Sequence, residues 1–193
     1  MRAYVFTLLT CAALVVTGLA GCGKDRTGGP RGTPDAVVGA AAATTFGAGR
    51  ADVEAATSLL TSTGWVDLAR RQAHVRVAGR DAASAPVLLR DPLLAVELLR
   101  GATDIEEYGG AEMRGASTIR YSFDVDPRRA SIAPLVAGLK GTTFYGDVWI
   151  DTQGRVRQVL IPLNINETRP VRNSSRVPQV ITVQFFNYRR EGA

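Results

Sequence analysis

Thr118-Ile119-Arg120-Tyr121-Ser122-Phe123-Asp124-Val125-Asp126 is the stretch on which the fold turns. Apolar Ile119, Tyr121, Phe123 and Val125 alternate strictly with polar Thr118, Arg120, Ser122 and Asp124, the period-2 pattern of a strand with one buried face. Reading outward, Phe144 to Ile150 and Arg155 to Ile165 give two more strands. They are joined by Asp151-Thr152-Gln153-Gly154, a tight connection with glycine where a positive φ is expected. Gln179 to Tyr188 gives the last strand. Towards the N-terminus, Ala51, Val53, Ala55, Thr57 and Leu59 alternate with Asp52, Glu54 and Ser58. Trp65-Val66-Asp67-Leu68 and His74-Val75-Arg76-Val77 follow as short strands, with Ser62-Thr63-Gly64 as a turn before them. Val87-Leu88-Leu89 is a further strand candidate, too short for its period to decide.

Helix signals fall between these strands. Asp35 is placed to cap a helix over Ala36 to Thr45, stopped by Gly47 and Gly49. Asp91-Pro92 opens a helix running to Arg100, with Gly101 just past its end. Leu93, Leu94, Val96, Leu98 and Leu99 make that helix apolar on more than one face, so it is expected to pack on the sheet. Ser131 is placed to cap a short helix ending near Lys140. Many strands joined by tight turns, with two or three helices set among them, predict an antiparallel α+β domain. No repeated βαβ rhythm supports a parallel dinucleotide fold.

The N-terminus carries a different message. Met1-Arg2 precedes an apolar run from Tyr4 to about Leu19, the anatomy of a signal peptide and short for a spanning helix. The run ends in Leu19-Ala20-Gly21-Cys22, which resembles the bacterial lipobox. The resemblance implies diacylglycerol on the Cys22 thiol and cleavage just before it. Residues 1–21 are thus read as a lipoprotein signal peptide and 22–34 as a Gly/Pro/charged tether. Residues 35–193 are read as one domain, anchored at the extracytoplasmic face of the cell membrane through acyl chains, palmitate among them. Losing residues 1–21 lowers the formal net charge from +5 to +4 and removes Cys11. With Cys22 lipidated, no disulfide remains possible, and stability has to come from the core.

Lys24 and Lys140 are the only lysines, so the basic charge is almost all arginine. The doublets Arg70-Arg71, Arg128-Arg129 and Arg189-Arg190 read as solvated faces, or as contacts to anionic lipid or lipoglycan. No basic stretch interleaves aromatics as a nucleic-acid platform would, so no nucleic acid partner is expected. His74 is the only histidine and lies in a predicted strand. Asp124 and Asp126, two apart on a polar strand face, fit a solvated strand end better than an acid/base pair. Asp147 and Asp151 flank Trp149 near a hairpin, where turn chemistry accounts for Asp151. Asn166-Glu167-Thr168 and Asn173-Ser174-Ser175 match the glycosylation sequon, a weak pattern. No G-x-S-x-G elbow, P-loop or cysteine pair is present. Nothing here argues for an enzyme, and no cofactor or metal is expected. Aromatic side chains spread over the strands, among them Trp65, Tyr121, Phe123, Phe186 and Tyr188, suit either a packed sheet or one whose apolar face is left open as a pocket.

The order of motifs carries a family resemblance. Asp91-Pro92-Leu93-Leu94-Ala95-Val96-Glu97-Leu98-Leu99-Arg100-Gly101 precedes Gly110-Ala111-Glu112-Met113-Arg114-Gly115 and the strand Thr118-Ile119-Arg120-Tyr121. Asp147-Val148-Trp149-Ile150-Asp151, Gly154-Arg155-Val156 and a closing strand ending in Asn187-Tyr188 follow. Over most of residues 35–190 this succession resembles actinobacterial lipoproteins of the LppX/LprG type, related in fold to the lipoprotein carriers LolA and LolB. The resemblance implies a half-open antiparallel β-barrel with two or three helices on its concave side. It also implies the holding or transport of a hydrophobic ligand, such as a lipid, lipoglycan or acyl chain, in the cell envelope. Leu94 and Leu98 are then expected as the helical wall of such a site, with Phe144, Trp149 and Phe185 on the sheet side. The alternative is a cargo-free structural or interaction lipoprotein of the same fold. A monomer is expected in either case.

Overall fold

The alternating stretch forms the body of a strand in the computed structural model, which describes residues 30–79, 82–125, 144–162 and 180–189. The expected signal peptide, Cys22, most of the tether, the helix expected at Ser131 to Lys140 and both sequons lie outside the described residues. The elements, in chain order, begin with α1 (Pro34–Phe46), β1 (Arg50–Ala56), β2 (Leu60–Asp67) and β3 (Gln72–Gly79). Next come the short α2 (Val87–Arg90) and α3 (Leu93–Glu97), then β4 (Ala102–Met113) and β5 (Ala116–Val125). The described part of the chain closes with β6 (Phe144–Asp151), β7 (Val156–Pro162) and β8 (Val180–Arg189).

All eight strands lie in one antiparallel sheet of order β3-β2-β1-β8-β7-β6-β5-β4. The sheet is curved and, among the described residues, does not close: β3 and β4 remain as edges. The first three strands and the last five are two meanders stitched together along β1 and β8. This order dictates what happens between β3 and β4. The chain must travel from one edge to the other, and α2, α3 and a 3-10 turn (Leu98–Gly101) make that crossing over one face of the sheet. Leu88, Leu89, Leu93, Val96, Leu98 and Leu99 are all buried, and the crossing packs against the sheet and α1.

Pairing register assigns the two faces. Ala51, Val53 and Ala55 of β1, Tyr121, Phe123 and Val125 of β5, Val148 and Ile150 of β6, and Ile181, Val183 and Phe185 of β8 share the face that meets the helices. α1 adds Val37, Val38, Ala41, Ala42 and Phe46, spaced as one helical stripe, to the same core. Thr33 rather than Asp35 caps α1: its side chain accepts from Ala36 N at 3.4 Å, so the helix starts two residues before its expected position.

Four expectations are corrected. The first strand ends at Ala56, not Leu59. The Thr57 hydroxyl accepts from Leu59 N at 3.3 Å and Leu60 N at 3.0 Å, turning the chain there. Ser62-Thr63-Gly64 is therefore the middle of β2 and not a turn. Gly64 is needed because a Cβ would fall 2.1 Å from the carbonyl oxygen of His74 on β3, so close backbone approach and not a bend selects the glycine. Val87-Leu88-Leu89 is the helical turn α2, closed by a hydrogen bond from Asp91 N to Val87 O at 2.7 Å. A three-residue apolar run carries no period to separate the two states. The helix expected from Asp91 starts one residue later and is shorter: Pro92 is its N-cap, the α-helix spans Leu93–Glu97, and Leu98–Gly101 continues in 3-10 geometry, while the Asp91 carboxylate accepts from Leu93 N at 3.2 Å.

Candidate functional site

The expected wall residues divide between the two faces of the sheet. Leu98, at the start of the 3-10 turn, and Phe185 on β8 are both fully buried in the core between helices and sheet. Leu94 is partly buried against that core. Phe144 opens β6, paired in register with Val125. Trp149 is on the opposite face. Its register partners are Arg120 and Gln158, and the Arg120 guanidinium lies 5.3 Å from its ring centroid. The structure thus brings Leu98, Phe185 and, at the margin, Leu94 to one apolar interior, and it leaves Trp149 out of it.

That second face is polar and highly ordered in its pairing. His74 stacks on Trp65 with 3.9 Å between ring centroids, and Arg50 sits 4.0 Å from the same indole, so the lone histidine has a packing role. Arg120 forks onto Asp147 with hydrogen bonds of 3.2 and 2.9 Å. Arg70 pairs with Asp67 and Arg189 with Asp52, and Arg71 pairs with Glu97 of α3 on the helix side, so these members of the arginine doublets are exposed yet paired.

At one end of this face the β4–β5 hairpin, the β6–β7 turn and the last turn of β8 meet in an open cleft of about 530 Å³. Arg114, Arg155, Arg157, Phe186, Asn187 and Tyr188 form its walls. A second opening of about 340 Å³ shares Arg155 and Tyr188 and extends to Thr44 and Gly47 at the end of α1. Asp151 is the hub. One carboxylate oxygen accepts from the backbone N–H groups of Gln153 at 2.9 Å and Arg155 at 3.0 Å, which is the expected turn chemistry. The other accepts from Arg155 Nε at 3.0 Å and Arg157 Nε at 2.8 Å. Burial alone would raise the Asp151 carboxyl, but the hydrogen bonds from Arg155 and Arg157 outweigh it and hold the group below the usual carboxylate range. Both guanidiniums also lie over the Tyr188 ring, at 4.6 and 4.9 Å from its centroid. Burial pushes the Tyr188 phenol well above its ordinary value, so it stays protonated and donates to the Val156 carbonyl. The Val156 N–H in turn donates to Thr45 Oγ1 at 2.9 Å, tying α1 to the same corner.

Two β-bulges and a strained turn build the cleft. Trp149 pairs with Gln158 but Ile150 pairs with Val156, leaving Arg157 as the extra residue of β7. Arg50 pairs with Arg189 but Asp52 pairs with Phe186, so β8 carries an extra residue where Asn187 adopts a φ of 50°. The hairpin turn has positive φ at both Arg114 (48°) and Gly115 (75°). Such a turn suits glycine and asparagine. Arginine there is offset by its reach: Nε donates to Gln184 at 2.9 Å, Nη2 pairs with Glu54, and the guanidinium covers the Phe186 ring at 4.0 Å. Sequence reasoning missed this assembly. Arg155, Arg157 and Tyr188 are read there only as strand residues, because bulges leave no mark on a period-2 pattern.

No protein-family model matches the sequence, and no curated protein matches it. Solved structures do. LprF from Mycobacterium bovis superimposes with a TM-score of 0.53 at 12% identity, over 82% of this chain and 94% of that chain. The lipoprotein LppX of Mycobacterium tuberculosis gives a TM-score of 0.51 at 15% identity, over 78% of this chain and 92% of that one. At these identities the likeness is one of fold, and it extends over nearly the whole of both relatives. The chain has the half-open α+β fold of the LppX/LprG type that its sequence resembles.

Proposed function

We propose that this chain is an exported lipoprotein, held at the extracytoplasmic face of the membrane by acyl chains on Cys22, that binds a hydrophobic ligand between its helices and its sheet. The observation that carries the reading is the unclosed sheet whose apolar face is roofed by α1 and by two helices of four and five residues, in a fold shared with the lipoprotein LppX. Each methylene of an acyl chain moved from water into such an interior contributes about 0.8 kcal/mol. Shape and apolar lining suffice for this task, and no bond is made or broken. Leu98 and Phe185 are the contacts expected to line the chain's path, with Leu94 at its margin. Short helices joined by few backbone hydrogen bonds are the part of the roof that separates from the sheet at least cost.

The complete burial of Leu98 and Phe185 favours a second reading, a cargo-free envelope lipoprotein with the same fold. Native mass spectrometry of the protein purified from its own host separates the two. A stoichiometric lipid adduct beyond the N-terminal anchor supports the carrier, and its absence supports the cargo-free reading. The anchor is tested separately by metabolic labelling with a fatty-acid analogue, where Cys22→Ser is expected to abolish the label. Unchanged labelling would remove the anchor from the account.

A further inference from the structure

We propose that the cleft between the β4–β5 hairpin tip and the β7–β8 bulges is a binding site for a phosphoryl group, with Arg157, Arg155 and Arg114 as its ligands. It lies at one end of the sheet, outside the apolar interior, and does not depend on any hydrophobic cargo.

The argument starts from charge. Arg155 and Arg157 are largely buried, with side chains 19% and 14% exposed, and both rest on the single carboxylate of Asp151, itself 3% exposed. Two backbone N–H groups and both guanidiniums, Arg155 through Nε and Nη2, already occupy the two oxygens of Asp151. Among the described residues, two guanidiniums against one saturated carboxylate leave a positive charge that water reaches only from the cleft. Burying such a charge without a partner is costly. The Tyr188 ring beneath both forks holds them flat and offsets part of that cost, but a ring contributes no net charge. Across the cleft, Arg114 is matched by Glu54, so the surplus is not cancelled from that side.

Geometry supports the same conclusion. Arg157 donates through Nε to Asp151, and its side chain lines the cleft. Planar forks of this kind match the oxygens of a phosphoryl group two at a time. The three backbone irregularities that frame the cleft are the Arg157 bulge, the Asn187 bulge and the Arg114–Gly115 turn, and each contributes a wall residue. Bulges that re-aim side chains gather beside functional sites. A cleft of about 530 Å³ is larger than a lone oxyanion needs, and Phe186 gives it an aromatic wall for the organic part of a phosphate ester.

A phospholipid headgroup and a soluble phosphate present the same chemistry, and one experiment separates them. The lipidated protein, purified in neutral-detergent micelles and phosphate-free buffer, is titrated with inorganic phosphate against chloride at equal ionic strength. In a parallel arm the micelles are doped with phosphatidylglycerol or with diacylglycerol of the same chains. Thermal unfolding reports binding through linkage. A saturable rise in midpoint with phosphate, weakened about tenfold in Arg157→Gln, is expected, a loss corresponding to about 1.4 kcal/mol. A rise confined to phosphatidylglycerol identifies a headgroup, and a rise with inorganic phosphate identifies a soluble ligand. Should Arg157→Gln fail to fold, the more exposed Arg114→Gln decides by the same loss. No saturable rise in either arm, or equal rises in wild type and both variants, overturns the site.

Discussion

The two faces of this one sheet are built on opposite principles. The helix-side face is apolar from β1 to β5, and any of its side chains is held by generic burial. The other face is held by specific partners: Arg120 on Asp147, His74 on Trp65, and Arg155 and Arg157 on Asp151. The first asks for apolar character and no particular partner, whereas the second asks for a particular partner at each position. An apolar interior can exchange side-chain contacts for those of a lipid chain with little penalty. A paired guanidinium can exchange only for another anion.

The sharpest way to break this contrast is in the apolar face. Phe123 is 1% exposed in the middle of β5, and Phe123→Ala is expected to cost about 3–5 kcal/mol, read from denaturant unfolding. A loss below about 1 kcal/mol would mean that the ring lines open space.

On the polar face the corresponding lesion is Asp151→Ala. It leaves two guanidiniums and two backbone N–H groups without their acceptor, and a loss of about 2–3 kcal/mol is expected. Asp151→Asn should retain the backbone contacts and cost less, a ranking that generic packing does not predict. The same carboxylate sets a pH dependence. Its folded value is depressed, so its contribution is fully present above the unfolded value of about 3.9 and is lost as pH falls through the folded value. In wild type, stability should therefore drop with acidification below about pH 4 more steeply than in Asp151→Asn. Parallel slopes would remove Asp151 from its role as hub.

The smallest effect is expected where neither principle applies. Leu59, 73% exposed at the tip of the β1–β2 turn, should accept Leu59→Ser within about 0.5 kcal/mol. A larger loss would show that the tip is covered in the native protein.

The same contrast explains what the sequence makes legible. Residues 118–125 announce β5 because alternation is the direct imprint of one buried face, and β8 follows by the same signal. β4 carries no such imprint. It is an exposed edge with Glu106, Glu107, Gly109 and Gly110, interrupted by two register shifts, and edge strands are blunted by charge and bulges. Leu98 and Phe185 are legible as interior because both sit in apolar periodic segments. Trp149 is misplaced by the same logic: in Val148-Trp149-Ile150 every residue is apolar, and only its pairing with Arg120 and Gln158 assigns its face. The arginine cleft depends on three elements, with partners 32 to 70 residues apart, and on two bulges, which no local pattern encodes.

The central claim is that the helix-side face takes a hydrophobic ligand, and Leu98→Trp tests it most directly. Lipid extracted from wild type and variant, both purified from the native host, is measured alongside their unfolding midpoints. The account predicts bound lipid in the wild type, its loss in Leu98→Trp, and little change in midpoint, because the indole occupies the ligand's space. No lipid in the wild type, with Leu98→Trp destabilised by the roughly 1–3 kcal/mol of an overpacked core, would contradict it.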